Sequence, residues 1–87
     1  MMAPIYISAD LEAGVVLVRY RRLADADLIK EDHRIAPGAT AGIDSHGDVV
    51  AIELLDVDSA TLAAAAAYAH QRDLAFPRDL SRLLDAA

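Results

Sequence analysis

The stretch AGIDSHGDVVAIELL at residues 41–55 decides the fold that this sequence predicts. Asp44 and Gly47 take the first and fourth positions of a four-residue turn, where an Asp side chain caps free amides and a Gly tolerates a positive φ. Apolar residues then alternate along residues 49–55, which is typical of a β-strand. One face of that strand carries Val50, Ile52 and Leu54, and the other carries Val49, Ala51, Glu53 and Leu55. The turn therefore predicts a hairpin.

The residues before this hairpin also follow a period of two. Residues 5–7 and 15–22 predict a first hairpin, whose second strand places Val16, Val18 and Tyr20 on one face. Residues 28–35 are strand-like but strongly charged, as expected of an edge strand that is guarded against pairing with other chains. Because the links are short, we expect a four- to five-stranded antiparallel meander over residues 4–56, with sequence neighbours adjacent in space.

From Asp58 the apolar period becomes helical. Asp58 or Ser59 is placed to cap a helix that runs to about residue 72. A second, short helix is expected from Pro77, with an apolar stripe formed by Leu80, Leu83 and Leu84. The predicted fold class is therefore α+β, an antiparallel four- to five-stranded meander followed by two C-terminal helices. We expect residues 1–87 to form a single domain, with the β-meander at 4–56 and a helical C-terminal extension at 58–86. Phe76 is expected to plug the sheet and fix the angle between the helices.

The composition predicts a small core. The chain has 87 residues and no Cys, and 19 of its hydrophobic residues are Ala. Chains of this length bury only about 60% of the surface that they expose when unfolded, so a partner subunit adds useful stability. The sequence therefore favours self-association, and a two-fold homodimer is the commonest closed form.

The charge argues against two classes of partner. With 8 Lys and Arg against 14 Asp and Glu, the net charge of −6 repels phosphate backbones and anionic lipids. The one basic cluster, at residues 19–22, is split because strand alternation sends Tyr20 to the opposite face from Arg19 and Arg21. The longest apolar run, at residues 62–69, is far shorter than the roughly 20 residues of a membrane span, and the N-terminus lacks a signal-peptide pattern. We expect no nucleic-acid partner, no membrane partner and a cytoplasmic location.

Two segments resemble the bacterial domain-of-unknown-function 2283 family. Residues 10–18, DLEAGVVLV, are similar to the family's opening hairpin, and residues 37–55, PGATAGIDSHGDVVAIELL, are similar to its Pro-Gly turn, aliphatic strand, Asp-x-x-Gly turn and final strand. The chain departs from the family at Gly14, where Asp is usual, and at Ala51, where Gly is usual. The family has no established activity. Some members are encoded beside candidate toxin genes, so the resemblance implies an antitoxin-like role.

The residues that commonly carry chemistry do not form a recognisable constellation. His33, His46 and His70 lack the spacing of a metal site. Asp44, Ser45 and His46 are contiguous in one tight turn, so they cannot align as a hydrolytic triad. The acid pairs Asp10 with Glu12, Asp25 with Asp27, and Asp56 with Asp58 lie at strand ends or a helix start, where acids cap backbone amides. We therefore expect no catalytic residues, no metal site and no cofactor.

Glu53 leaves two interpretations open. It interrupts an apolar strand on the less apolar face, and Arg19 and Arg21 lie on the less apolar face of another strand. Structural ion pairing across strands is one interpretation. The other is a ligand cleft lined by Glu53, Arg19 and Arg21, in a small-ligand-binding protein or an enzyme.

The alanine-rich helix is the most informative element. Residues 60–69 contain no charged side chain, and a helix that is apolar all round is expected to be covered all round. If one face rests on the sheet, the other side, with Ala63, Ala64, Ala67 and Tyr68, is the candidate interface for self-association, because small side chains allow a second helix or strand to approach closely. The alternative is that Ala is simply a good helix former whose exposure costs little.

These observations favour a non-enzymatic protein-interaction module that is homodimeric, and antitoxin-like towards a basic protein partner. The competing hypothesis is the small-ligand-binding protein or enzyme with the Glu53, Arg19 and Arg21 cleft. A third is an accessory subunit of a larger assembly.

Overall fold

A computed structural model describes residues 1–10, 12–22, 31–78 and 80. Five strands precede one helix along the described chain. They are β1 (Tyr6–Asp10), β2 (Val15–Arg19), β3 (Glu31–Ala36), β4 (Ala39–Ile43), β5 (Val49–Leu54) and α1 (Ser59–Gln71). The α+β class and the antiparallel sheet are confirmed.

The sheet has the order β1-β2-β5-β4-β3, with every neighbouring pair antiparallel. The prediction of a simple meander was wrong at one junction, because β2 pairs with β5 and not with β3. The strand pattern explains this order: β2 and β5 are the most apolar strands and take inner positions, whereas the charged β3 takes an edge. The prediction of an edge strand is confirmed for residues 31–35, and residues 28–30 lie outside the described part of the chain.

One face of the sheet forms the core. Val16, Val18 and Tyr20 are buried on it, as the alternation along β2 predicts, together with Ile52 and Leu54 of β5. Val49 departs from the alternation that the sequence predicts. A register shift between Gly42 and Ile43 places Val49 opposite Ile43, and both side chains join the core cluster.

Helix α1 packs beside this face near β3. The Asp58 carboxylate caps its first turn by accepting the Thr61 N–H at 2.7 Å, as the sequence predicts, and the buried Thr61 hydroxyl donates to Pro37 O at 3.5 Å. At the other end, Asp73 adopts a left-handed φ of 59°, and the Leu74 N–H donates to Ala69 O at 2.9 Å. This pair of features is a Schellman motif, which ends the helix sharply.

The segment after α1 returns to the sheet. Leu74 bridges to Met2, the Ala75 N–H donates to Met2 O at 2.8 Å, and the Tyr20 hydroxyl donates to Ala75 O at 2.8 Å. Phe76 is half-buried against the core, as expected of a plug. The second predicted helix is not confirmed: Leu80 is buried, but Leu83 and Leu84 lie outside the described residues, as do most of the positions in 79–87.

Candidate functional site

The outer side of α1 carries the candidate interface that the sequence predicts, here called the α1 surface and defined as Ala63, Ala64, Ala67 and Tyr68. Ala63 and Ala67 are exposed, whereas Ala64 and Tyr68 are half-buried. The opposite side of the helix buries Thr61, Ala65 and Ala69. The helix therefore rests on the body of the protein along one stripe and leaves an uncharged surface on the other.

A groove of about 700 Å³ runs between α1 and the segment that follows it. Ala63 and Ala67 line the groove, whereas Ala64 and Tyr68 do not. The remaining lining is mostly apolar and comprises Met1, Leu62, Ala66, His70, Leu74, Ala75, Phe76, Pro77, Arg78 and Leu80. The sequence pattern identified the two alanines but not the groove, because the groove depends on how the chain returns after the Schellman motif.

Tyr68 is held at the flank of α1 by the residue one turn later. The Arg72 guanidinium carbon lies 3.6 Å from the centroid of the Tyr68 ring, and Arg72 Nη1 donates to Tyr68 O at 3.3 Å. The Tyr68 hydroxyl is buried and has no hydrogen-bond partner within the described residues. Tyr68 thus presents a ring that is already paired with a cation, so it contributes to the α1 surface mainly by packing.

The three residues of the predicted ligand cleft are not brought into one cavity. Arg19 stacks at 5.3 Å from the centroid of the Tyr6 ring, and Arg21 Nη2 lies 3.9 Å from Asp48 Oδ1. Glu53 is exposed between Leu17 of β2 and Thr40 of β4, which are its cross-strand neighbours. Over the described ranges, no ion pair joins Glu53 to either arginine.

Glu53 instead belongs to a shallow hollow of about 290 Å³ on the face of the sheet opposite α1. Its other lining residues are Leu17, Asp32, Thr40, Gly42 and Ala51. Asp32 is a second carboxylate at this hollow that sequence reasoning missed, because β3 and β5 are far apart in sequence and are brought together only by the intervening β4. Two carboxylates thus line one open hollow, and the register places Arg19 opposite Ala51 and Arg34 opposite Thr40 on the same face of the sheet.

The carboxylates of the β4–β5 turn and of the α1 N-cap accept hydrogen bonds from backbone amides. Asp44 Oδ1 accepts the N–H groups of His46 at 2.8 Å and Asp48 at 3.0 Å, and the hydrogen bond from Asp48 is the main cause that lowers the pKa of Asp44. The hydrogen bond from the Thr61 N–H likewise lowers the pKa of Asp58. These acids act as the caps that the sequence predicts. Asp10 Oδ1 also accepts a hydrogen bond from the Ala13 N–H in a turn, whereas Asp25 and Asp27 lie outside the described residues.

The histidines lie on separate elements. His33 is on β3 beside Glu31, with which it forms a hydrogen bond, while His46 is in the β4–β5 turn and His70 is near the end of α1. Nowhere in the described ranges do three His, Asp or Glu side chains converge as a metal site would require. In the same ranges, α1 is too short to cross a bilayer, and no other helix is long and apolar enough to do so.

Comparison with known proteins identifies no relative. No protein-family model matches the chain, and neither the curated proteins nor the solved structures contain a significant match to it. The resemblance to the domain-of-unknown-function 2283 family therefore stays a prediction.

Proposed function

We propose that this protein is a non-enzymatic interaction module that acts as a homodimer and presents the α1 surface to a basic protein, as an antitoxin does. The observation that supports the proposal most is the uncharged, partly exposed outer side of α1 beside an apolar groove. Protein interfaces combine such an apolar centre with a polar rim, and small side chains allow a partner helix to approach closely.

The rim of this surface supports a basic partner. Asp58 lies at the N-terminal end of α1, and Asp73 lies just past its C-terminal end, where its Oδ1 is 3.9 Å from the N-terminal ammonium group and its side chain is 83% exposed. A partner helix with an apolar stripe and a Lys or Arg near each end would place its cations beside these carboxylates. The net charge of −6 would steer such a partner towards the protein from a distance.

The homodimer is supported by the size of the core. Among the buried hydrophobic residues, Ala39, Ala41, Ala51, Ala65 and Ala69 contribute little volume, and Tyr20 is the largest fully buried side chain of the described core. A chain with this core gains stability when a second copy covers further apolar surface. The antitoxin-like role and a cytoplasmic location extend the same proposal, and the family resemblance supports the first of them.

A small-ligand-binding protein or enzyme that uses Glu53, Arg19 and Arg21 is the weaker alternative. Each arginine has a different neighbour, Tyr6 for Arg19 and Asp48 for Arg21, and Glu53 lines a hollow that neither arginine reaches. The geometry does not favour a shared ligand for the three side chains.

Affinity capture from cells of the source organism tests the proposal, with the purified protein as bait and mass spectrometry as the readout. We expect a basic protein to be enriched on the wild-type bait and on Ala13→Glu, which adds the same charge at an exposed turn. The Ala67→Glu bait should lose it, because the added carboxylate lies in the centre of the α1 surface. Equal enrichment on all three baits, or enrichment of no basic protein, would contradict the assignment of this surface.

A further inference from the structure

The two edges of the sheet differ in how they are guarded. The edge strand β3 carries four consecutive charged or titratable residues, EDHR at 31–34, and a register irregularity between Arg34 and Ala36. The other edge strand, β1, has the sequence YISAD, and all five of its residues are exposed. Charges and bulges are the usual protection of an edge against pairing with another chain, and β1 has neither until Asp10. Among the strands of the described chain, β1 therefore forms the unprotected edge.

The register shows which backbone groups β1 offers at this edge. The Tyr20 N–H donates to Val50 O at 2.8 Å, which continues the β2–β5 ladder by one pair. Hydrogen-bonded pairs alternate with non-hydrogen-bonded pairs along an antiparallel ladder, so the even-numbered residues of β2 form the backbone hydrogen bonds to β5. Odd-numbered residues of β2 then bond to β1, and their partners there are Tyr6, Ser8 and Asp10. Ile7 and Ala9 consequently point their N–H and C=O groups away from the sheet.

We infer that the β1 edge pairs antiparallel with the β1 edge of a second copy, so that the homodimer contains one continuous ten-stranded sheet and the α1 surface stays free for the protein partner. The inference rests on the homodimer of the proposed function and assigns its surface. A two-fold axis at Ser8 places Ile7 opposite Ala9 of the second copy, and Ala9 opposite its Ile7. Both outward residues of each copy are then hydrogen-bonded, which gives four bonds across the junction.

The side chains of β1 are complementary in this register. Ile7 and Ala9 lie opposite Val18 and Val16 in the β1–β2 ladder, so they share the core side of the sheet, yet Ile7 is 38% exposed. The second copy would extend that apolar side past the edge and cover Ile7.

On the other side of the sheet, Tyr6 faces Asp10 of the second copy, and Ser8 faces Ser8. The two Asp10 carboxylates lie four residues apart, about 13 Å along the strand, which is beyond the screening length of about 8 Å at physiological salt. No like charges oppose each other directly, so the edge is compatible with its own copy.

Proline substitutions test this inference at the backbone. Ala9→Pro removes one outward N–H from each copy and leaves the bonds to β2 intact, because proline is tolerated on an edge strand where its nitrogen faces solvent. The matched control is Asp32→Pro on β3. Glu31 and His33 bond to β4 by the same alternation, so Asp32 also points its N–H away from the sheet. We expect light scattering to give twice 9.3 kDa for the wild type and Asp32→Pro, and 9.3 kDa for Ala9→Pro.

A second measurement does not depend on whether the proline variants fold. In the wild type, the amide hydrogens of Ile7 and Ala9 should exchange slowly with solvent at high protein concentration and rapidly after dilution below the dissociation constant. The Asp32 amide should exchange rapidly at both concentrations, because its edge stays open. Ile7→Lys, which guards the edge with a charge, should abolish the concentration dependence.

The outcomes separate this inference from the proposed function. A wild-type protein that is monomeric at every concentration overturns the homodimer, and the inference falls with it. A dimer that survives both Ala9→Pro and Ile7→Lys but is broken by Ala67→Glu places the second copy on α1, which overturns the inference and leaves the homodimer standing. A dimer broken by Asp32→Pro alone places the contact at β3 and also overturns the inference.

Discussion

The two faces of the sheet are built from the same strands but differ in how deeply their side chains are buried. The face beside α1 carries Val16, Val18, Ile52 and Leu54, all at most 1% exposed. The opposite face carries Glu53, which is exposed, and Leu17 and Thr40, which are half-buried around an open hollow. The first face, here called the covered face, holds the fold together, whereas the second, the open face, tolerates charge and gaps. The free energy of folding should therefore depend on one face far more than on the other.

The adjacent residues Leu54 and Leu55 test this contrast most strongly. They have the same side chain, but Leu54 is 0% exposed in the core and Leu55 is 60% exposed. Leu54→Ala should lower the free energy of unfolding by about 2–5 kcal/mol, since it removes buried methyl groups and leaves a cavity. Leu55→Ala should change it by less than about 0.5 kcal/mol. Urea unfolding followed by far-UV circular dichroism measures both, and similar losses for the two variants would contradict the contrast.

The covered face was largely predictable from the sequence, because a strict period of two leaves little freedom over which side chains point inward. Val16, Val18, Tyr20, Ile52 and Leu54 were all assigned to it from that period. Val49 was not, whereas Val50 was assigned to it and is buried but does not join the core cluster, since a one-residue irregularity in the β4–β5 ladder falls at these two residues. No residue type marks such an irregularity in a single sequence. The order of the strands was missed for a similar reason: the pairing of β2 with β5 is a long-range choice that local patterns do not encode.

Beyond α1, the covered face is closed by the segment that returns to the sheet. The Tyr20 hydroxyl donates to Ala75 O at 2.8 Å, and burial raises the pKa of Tyr20 to about 12. Tyr20→Phe should lower the free energy of unfolding by about 1 kcal/mol, because it removes this bond and leaves the Ala75 carbonyl without that donor. Tyr6→Phe, at a ring that is 45% exposed, is the matched control and should have almost no effect. The same urea titration compares them, and a Tyr20→Phe variant as stable as wild type would show that the return segment does not depend on this bond.

The candidate sites were less predictable than the core. Ala63 and Ala67 were identified because the absence of charge over residues 60–69 is visible in the sequence. The open β1 edge was not, since residues 5–7 alone do not reveal which strands lie at the edges of the sheet. The grouping of Glu53 with Arg19 and Arg21 followed from the face on which each residue lies. Facing the same side of a sheet does not bring side chains into contact, and the register separates Arg19, opposite Ala51, from Glu53, opposite Leu17.

The smallest expected effect is on the pH dependence of stability. The comparison is between carboxylates that accept hydrogen bonds from backbone amides and a carboxylate on the open face. The pKa of Asp58 and the pKa of Asp44 are lowered in the folded protein by hydrogen bonds from the N–H groups of Thr61 and Asp48. Each carboxylate therefore stabilises the fold above the unfolded pKa of about 3.9, and this contribution is lost as the pH falls through the lower folded value. The melting temperature should fall in that acidic window.

Replacing one of these carboxylates by its amide should make that fall shallower. Asp58→Asn keeps a side-chain acceptor for the Thr61 N–H, because Asn is as good an N-cap as Asp, but it no longer titrates. Glu53→Gln removes the same charge from the open face, where no N–H group of the described chain donates to it, and is the control for the change in net charge alone. Thermal melts followed by circular dichroism between about pH 6 and pH 2 measure the slopes, across the range in which carboxylates titrate. If Glu53→Gln flattened the curve as much as Asp58→Asn, the flattening would follow from the loss of one negative charge and not from the helix cap, and the prediction for Asp58 would be wrong.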